Sequence, residues 1–394
     1  MGREAPEKRW RALQGLLQQE GYVAAILMSR TSIYYYAGTG QPCNLLLPAE
    51  GEPVLFVRRA EDFVRRETWI RDIRTGADFT PVVEEIKKLN RTSKVGIEED
   101  ILPVKLFRKL TGMLSHYELQ DVSHLILEQR FIKSEEEIAY IRKAGAIFQQ
   151  VHETIMDCLK PGITERELAG EIVKCVRKSG GEGVVFQRRW DAVLSPDGLV
   201  VAGTLNLTQI SGHAMTVTGV GTGKIIPWGA SDYVIQSGDL VVVDMAINYQ
   251  GYHIDQARTY VAGKASNEQE VVFAKVKSIQ EAVLSKVRPG TSAEELWVTA
   301  REKAKELGVD MYFQGYGTKQ GQYIGHCTGL EFDEPPTLAP GVKKKLAPGA
   351  VICLEPKLII PGWGSIDLED TVLVTLTGYE FLCPVKRELF ATGG

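Results

Sequence analysis

Two stretches of this chain, offset by 128 residues, follow one plan. LKPGITERELAGEIVKCVRKSGGE (159–182) and VRPGTSAEELWVTAREKAKELGVD (287–310) each run from a basic residue and Pro-Gly to a Thr or Ser cap. An acidic first turn follows, then an amphipathic helix closing near glycine. The spacing is too long for a solenoid unit. It implies two related half-domains, each of helices and strands, arranged about a pseudo-twofold axis. With 394 residues the chain exceeds the usual single core, so more than this duplicated body is expected.

The first 130 residues supply the remainder. EKRWRALQGLLQQEGY and FTPVVEEIKKL have helical apolar spacing. VAAILM, EPVLFV and SKVGIEE read as strands, as does the β-branched and aromatic TSIYYYAG. That alternation predicts a small α/β domain over 1–130 with an at least partly parallel sheet. Ser134 followed by Glu137 forms a capping box opening a long amphipathic helix, so a second domain is placed at 131–394. The fold class is α/β (α+β).

The net charge of −4 gives no reason to expect nucleic acid or an anionic membrane as partner. The charged start, MGREAPEKRW, lacks the apolar run of a signal peptide, and no apolar run is long enough to span a bilayer. Six cysteines without a CxxC pair fit reduced thiols. These features predict a cytoplasmic protein. TGVGTGK (218–224) imitates a phosphate loop, but no Ser or Thr follows Lys224 and the segment runs into IIPW, so a plain loop is expected.

The chemistry lies in two apolar strand pairs. DLVVVDMAINYQGYHIDQARTYVAG (239–263) reads as a hairpin around NYQG. With Tyr249 and Gln250 central, Asp244 lies opposite Asp255 on one face. A slip of the turn would leave the two diagonal but still on that face. Asp244 interrupts a strand that otherwise belongs in a sheet interior, where a carboxylate is costly unless paired or bound to a cation. VICLEPKLIIPGWGSIDLEDTVLVT (351–375) repeats the device: a loop centred on Gly362 sets Glu355 opposite Glu369. His326, in GHCTGLEFDEPP, adds an imidazole. Four carboxylates and one imidazole balance two divalent cations. Manganese or cobalt suits this oxygen-rich set best, with iron or zinc as alternatives. A water shared by two such cations becomes a nucleophile near neutral pH.

These strings resemble the pita-bread-fold metallopeptidases, the group of prolidase, Xaa-Pro aminopeptidase, creatinase and methionine aminopeptidase. VDMAINYQGYHIDQART is similar to the family's VDxGxxxxGYxxDxTRT, and GHCTGLEFDEPP to GHGxGLxxHExP. EPKLIIPGWGSIDLEDTVLVT is similar to ExGxxxxGxGGxRxEDTxxVT. GYVAAILMSRTSIYYYAGTG looks like the creatinase/prolidase N-terminal domain. The resemblance implies Asp244, Asp255, His326, Glu355 and Glu369 as metal ligands. It also implies attack on the amide carbon of a short peptide such as Xaa-Pro, with Glu355 carrying the proton, and homodimers as in relatives. Two family histidines are replaced: Trp228 stands in the family's PH dipeptide and Asp333 in its HExP. His213 and His253 are the candidates to replace them toward substrate. Creatinase-like cleavage of a small C–N substrate, a lyase reaction, or a non-enzymatic binding role are the alternatives on this scaffold.

Overall fold

The computed structural model describes residues 4–76, 78–89, 94–189, 194, 196–211 and 216–393. It divides into two compact units, one running to Arg130 and taking in Arg188, the other beginning at Phe131.

The first unit is built on a six-stranded sheet. Its strands are β1 (Tyr22–Leu27), β2 (Cys43–Pro48), β3 (Val54–Val57), β4 (Asp72–Thr75), β5 (Lys94–Ile97) and β6 (Glu118–Asp121). The order is β4-β3-β2-β1-β5-β6, with β1–β5, β5–β6 and β3–β4 parallel and the other pairs antiparallel. Every residue of β1 is buried, as its unbroken apolar run requires of a central strand.

One expected strand is a helix. TSIYYYAG lies mostly within Arg30–Ala37, which is α-helical and closes on Gly38 in the left-handed region at φ 79°. The cause is distant in sequence. The buried carboxylate of Glu98 accepts from the N–H groups of Met28 and Ser29 and from the Ser32 hydroxyl, at 2.9, 3.0 and 2.5 Å. An acid set at a helix N-terminus satisfies otherwise orphaned donors, and here it outweighs the β-propensity of Ile33, Tyr35 and Tyr36.

The second unit opens each of four helices with a capping box: Ser134 with Glu137, Thr164 with Glu167, Ser266 with Gln269, Ser292 with Glu295. Its strands are β7 (Leu199–Ala202), β8 (Leu240–Tyr249), β9 (Tyr252–Val261), β10 (Gly325–Cys327), β11 (Val351–Leu354), β12 (Lys357–Ile360), β13 (Gly364–Asp367), β14 (Asp370–Val374), β15 (Tyr379–Phe381) and β16 (Phe390–Ala391). They form sheets ordered β16-β9-β8-β7 and β10-β11-β14-β15, with β12–β13 as a separate ribbon. The helix Glu135–Cys158 packs on β8 and β9.

The duplication extends to single hydrogen bonds. The N–H groups of Gly162, Glu165 and Arg166 donate to the carbonyls of Ile235, Tyr233 and Ser231. Those of Gly290, Ala293 and Glu294 donate to the carbonyls of Leu346, Lys344 and Val342. Donors are displaced by 128 residues and acceptors by 111. Asp244 and Glu355 are displaced by the same 111, so they hold equivalent places in the two halves. The segment 218–224 is irregular, as a plain loop should be.

Candidate metal centre

β8 and β9 are joined by a two-residue turn at Gln250 and Gly251, with φ of 51° and 79°. Positive φ at both central positions is the type I′ geometry, which favours glycine at the second. This corrects the expected turn, which would have forced Tyr249 into the left-handed region. The register moves accordingly: Asp244 faces Ala257, and Asp255 faces Ala246. Asp244 and Asp255 are therefore diagonal neighbours on one face rather than directly opposite. In the second hairpin Leu354 pairs with Asp370 and Lys357 with Asp367, the register that sets Glu355 across from Glu369. Both glutamates fall where the ribbon breaks between β11 and β12 and between β13 and β14.

The five residues converge. Carboxylate oxygens of Asp244, Asp255 and Glu369 lie within 4.8 Å of one another. His326 Nε2 is 3.6 Å from Asp255 Oδ2 and 3.7 Å from Glu355 Oε1. His326 Nδ1 lies 3.0 Å from the Cys327 carbonyl. With the proton on Nδ1 donated there, Nε2 presents its lone pair to the acids. Burial pushes the Asp244 carboxyl up to about 7, with Asp367 and Glu355 adding to the rise against the pull of Lys357. Burial and then the neighbouring acids raise Asp255 and Glu369 well above the carboxylate range. Massed buried carboxylates with an imidazole lone pair aimed at them are a donor set that divalent cations fit and relieve.

The surrounding groups hold this set in place. Arg258, fully buried, donates to the Glu369 carbonyl at 2.5 Å and to Asp370 Oδ1 at 2.7 Å. Gln256 and Gln280 also donate to Asp370. Thr371 Oγ1 donates to the Asp255 carbonyl at 2.6 Å. The buried Cys353 sulfur lies within 4.8 Å of ligand atoms of His326 and Glu369, and burial pushes its thiol up. The sequence reading missed Lys357 and Asp367. The lysine is 1% exposed and the acid fully buried, and they stand where the family string has glycine and arginine. Burial lowers the Lys357 pKa, but Asp367 and Glu355 outweigh it and the net shift is well upward.

The residues expected near substrate part company. Asp333 is half-buried and close enough to Asp255 to help raise its carboxyl. Trp228 is buried in the apolar core of the second unit. His253 has both ring nitrogens beside backbone: Nδ1 lies 3.0 Å from the Gly329 carbonyl, and Nε2 accepts from Phe186 N–H at 3.2 Å. That neutral imidazole ties the segment at Phe186 to the loop after His326. His213 lies outside the described residues.

Comparison with known proteins agrees with this geometry. Residues 139–376 match the model of metallopeptidase family M24, and residues 9–132 that of the creatinase/prolidase N-terminal domain. The chain belongs to metallopeptidase family M24 and is a metal-dependent peptidase with the pita-bread fold. It is 28% identical over 368 residues to an Xaa-Pro dipeptidase of Pyrococcus horikoshii, covering 93% of this chain and 94% of the relative. It superposes on an X-Pro aminopeptidase from Thermotoga maritima with a TM-score of 0.80 at 25% identity, covering 97% of this chain and 99% of the other. An Xaa-Pro dipeptidase from Bacillus anthracis gives 0.83 at 25% identity, covering 98% and 99%. Among the described residues no helix is long and apolar enough to cross a membrane.

Proposed function

We propose that residues 131–394 are the catalytic domain and 1–130 the accessory N-terminal domain of a peptidase acting on short peptides of the Xaa-Pro type. Asp244, Asp255, His326, Glu355 and Glu369 hold two divalent cations, manganese or cobalt by the oxygen-rich donor set. The observation that carries this reading is the approach of His326 Nε2 to Asp255 and Glu355 beside the Asp244, Asp255 and Glu369 cluster. Bound there, the cations would supply activation of water and polarisation of an amide carbonyl.

The chain's own groups do the rest. Lys357 holds Glu355 Oε2 at 2.6 Å, so Oε1, 3.7 Å from His326 Nε2, is the oxygen that would face a cation, and the Glu355 carboxylate would carry the proton during hydrolysis. Asp333 lends the pocket negative charge and favours substrates without a free carboxylate near the scissile bond. The six unpaired thiols support a cytoplasmic setting, and a homodimer is the assembly proposed.

Elemental analysis of metal-reconstituted protein should find two divalent ions in the wild type and a loss in Asp255→Ala. Glu355→Gln should fold as the wild type does and hydrolyse Xaa-Pro peptides at least about a hundredfold more slowly. Unchanged metal content in the first variant, or turnover within a few-fold in the second, overturns the assignment.

A further inference from the structure

A lysine beside a metal-ligating carboxylate is an awkward neighbour, because its ammonium competes with the cation for the same negative charge. Lys357 Nζ lies 2.6 Å from Glu355 Oε2 and 3.2 Å from Asp367 Oδ2, and donates to Thr216 Oγ1 at 2.8 Å. Lys357 and Asp367 are directly paired across β12 and β13. The backbone holds both. Gln314 Oε1 accepts from Lys357 N–H at 2.9 Å, and Thr259 Oγ1 accepts from Asp367 N–H at 2.9 Å. The family string places no side chain at the first of these positions and a cation at the second. This chain places a cation at the first and an anion at the second.

We propose that Lys357 and Asp367 act as one charge-neutral unit that positions Glu355. The ammonium fixes Oε2 and so directs Oε1 alone toward His326. Asp367 cancels the field that the ammonium would otherwise impose on the metal centre. Without Asp367, a full positive charge would stand a few ångströms from a dication in a buried setting, where such repulsion is poorly screened. With it, the centre meets a dipole. The inference rests on the metal-binding reading above and goes beyond it by assigning two positioning residues that touch neither substrate nor metal.

The test is calorimetric titration of the metal-free protein with Mn²⁺ or Co²⁺, using wild type, Asp367→Asn, Asp367→Glu and the double variant Lys357→Met/Asp367→Asn. Asp367→Asn should weaken at least one binding event by about tenfold or more. Asp367→Glu, which keeps the charge, should bind within about threefold of wild type. The double variant, which removes both charges but also the hold on Glu355 Oε2, should recover part of the loss and bind at least about threefold more tightly than Asp367→Asn. Asp367→Asn binding like wild type overturns the proposal, as does a double variant no better than the single. Should Asp367→Asn fail to fold, Asp367→Glu decides, because a loss of about tenfold in that charge-preserving variant overturns the proposal. A wild type that binds no divalent cation fails the metal-binding reading itself, a result distinct from all of these.

Discussion

Asp333 and Trp228 both replace family histidines, yet the structure gives them different weights. Trp228 is buried among apolar neighbours, so returning a histidine there would place a polar ring in a packed core and confound any kinetic reading. Asp333 is partly exposed and acts on Asp255 through space. Asp333→His alone is therefore the informative substitution. It should raise kcat/KM for a free Xaa-Pro dipeptide relative to the matching amide by about tenfold, since one pocket charge is worth on the order of 1–4 kcal/mol. An unchanged ratio would show that Asp333 is merely tolerated. Asp244 and Glu355 were legible because they break into apolar strands, where an unpaired carboxylate is costly, Asp255 and Glu369 because hairpins set them on the same faces, and His326 through the family string. Lys357 was not, although it too follows an apolar strand: its partner lies ten residues away across a ribbon, and only the register reveals it. Arg258 gives no comparable signal, because YHIDQARTYV is not an apolar run and only the fold shows that every residue of that strand is buried.

At the scale of elements, the hairpin between β8 and β9 shows how a turn sets chemistry. A two-residue type I′ turn at Gln250–Gly251 fixes which residues of the two strands face each other. Moving the turn changes cross-strand partners without moving the acids to the other face, so the face that Asp244 and Asp255 share could be read from sequence while their exact pairing could not. Gly251 at φ 79° carries the requirement. Gly251→Val should cost about 1–2 kcal/mol or more in urea unfolding, and metal affinity should fall with it as Asp244 and Asp255 lose their spacing. A variant as stable as wild type would show that the turn does not fix the register. The helix Arg30–Ala37 teaches the opposite lesson. Its local sequence favours a strand, and the acid that overrules it, Glu98, lies more than sixty residues downstream. The capping boxes, by contrast, are local: Ser134 with Glu137 is legible as a box, and Thr164 and Ser292 as caps with an acidic first turn.

Across the whole second unit, the proposed centre draws Asp244 and Asp255 from one half of the duplication and His326, Glu355 and Glu369 from the other. Metal would then act as a clamp between halves, and its removal should expose the cost of assembling those acids. Asp244 is pushed up to about 7 and Asp367 up to about 6, with Asp255 and Glu369 also raised. A carboxyl raised in the fold binds its proton more tightly folded than unfolded. The metal-free fold is therefore favoured at acid pH, and loses stability as pH climbs from about 4, where unfolded carboxyls titrate, through about 7. The loss should be on the order of a few kcal/mol. Cations remove the repulsion and add binding energy that grows with their concentration. Thermal melts of metal-free protein should accordingly fall between pH 5 and pH 8, while melts in saturating Mn²⁺ hold steady or rise, so the two curves diverge with pH. Parallel curves would mean that the acids gain nothing from metal, and the clamp between the halves would have to be abandoned.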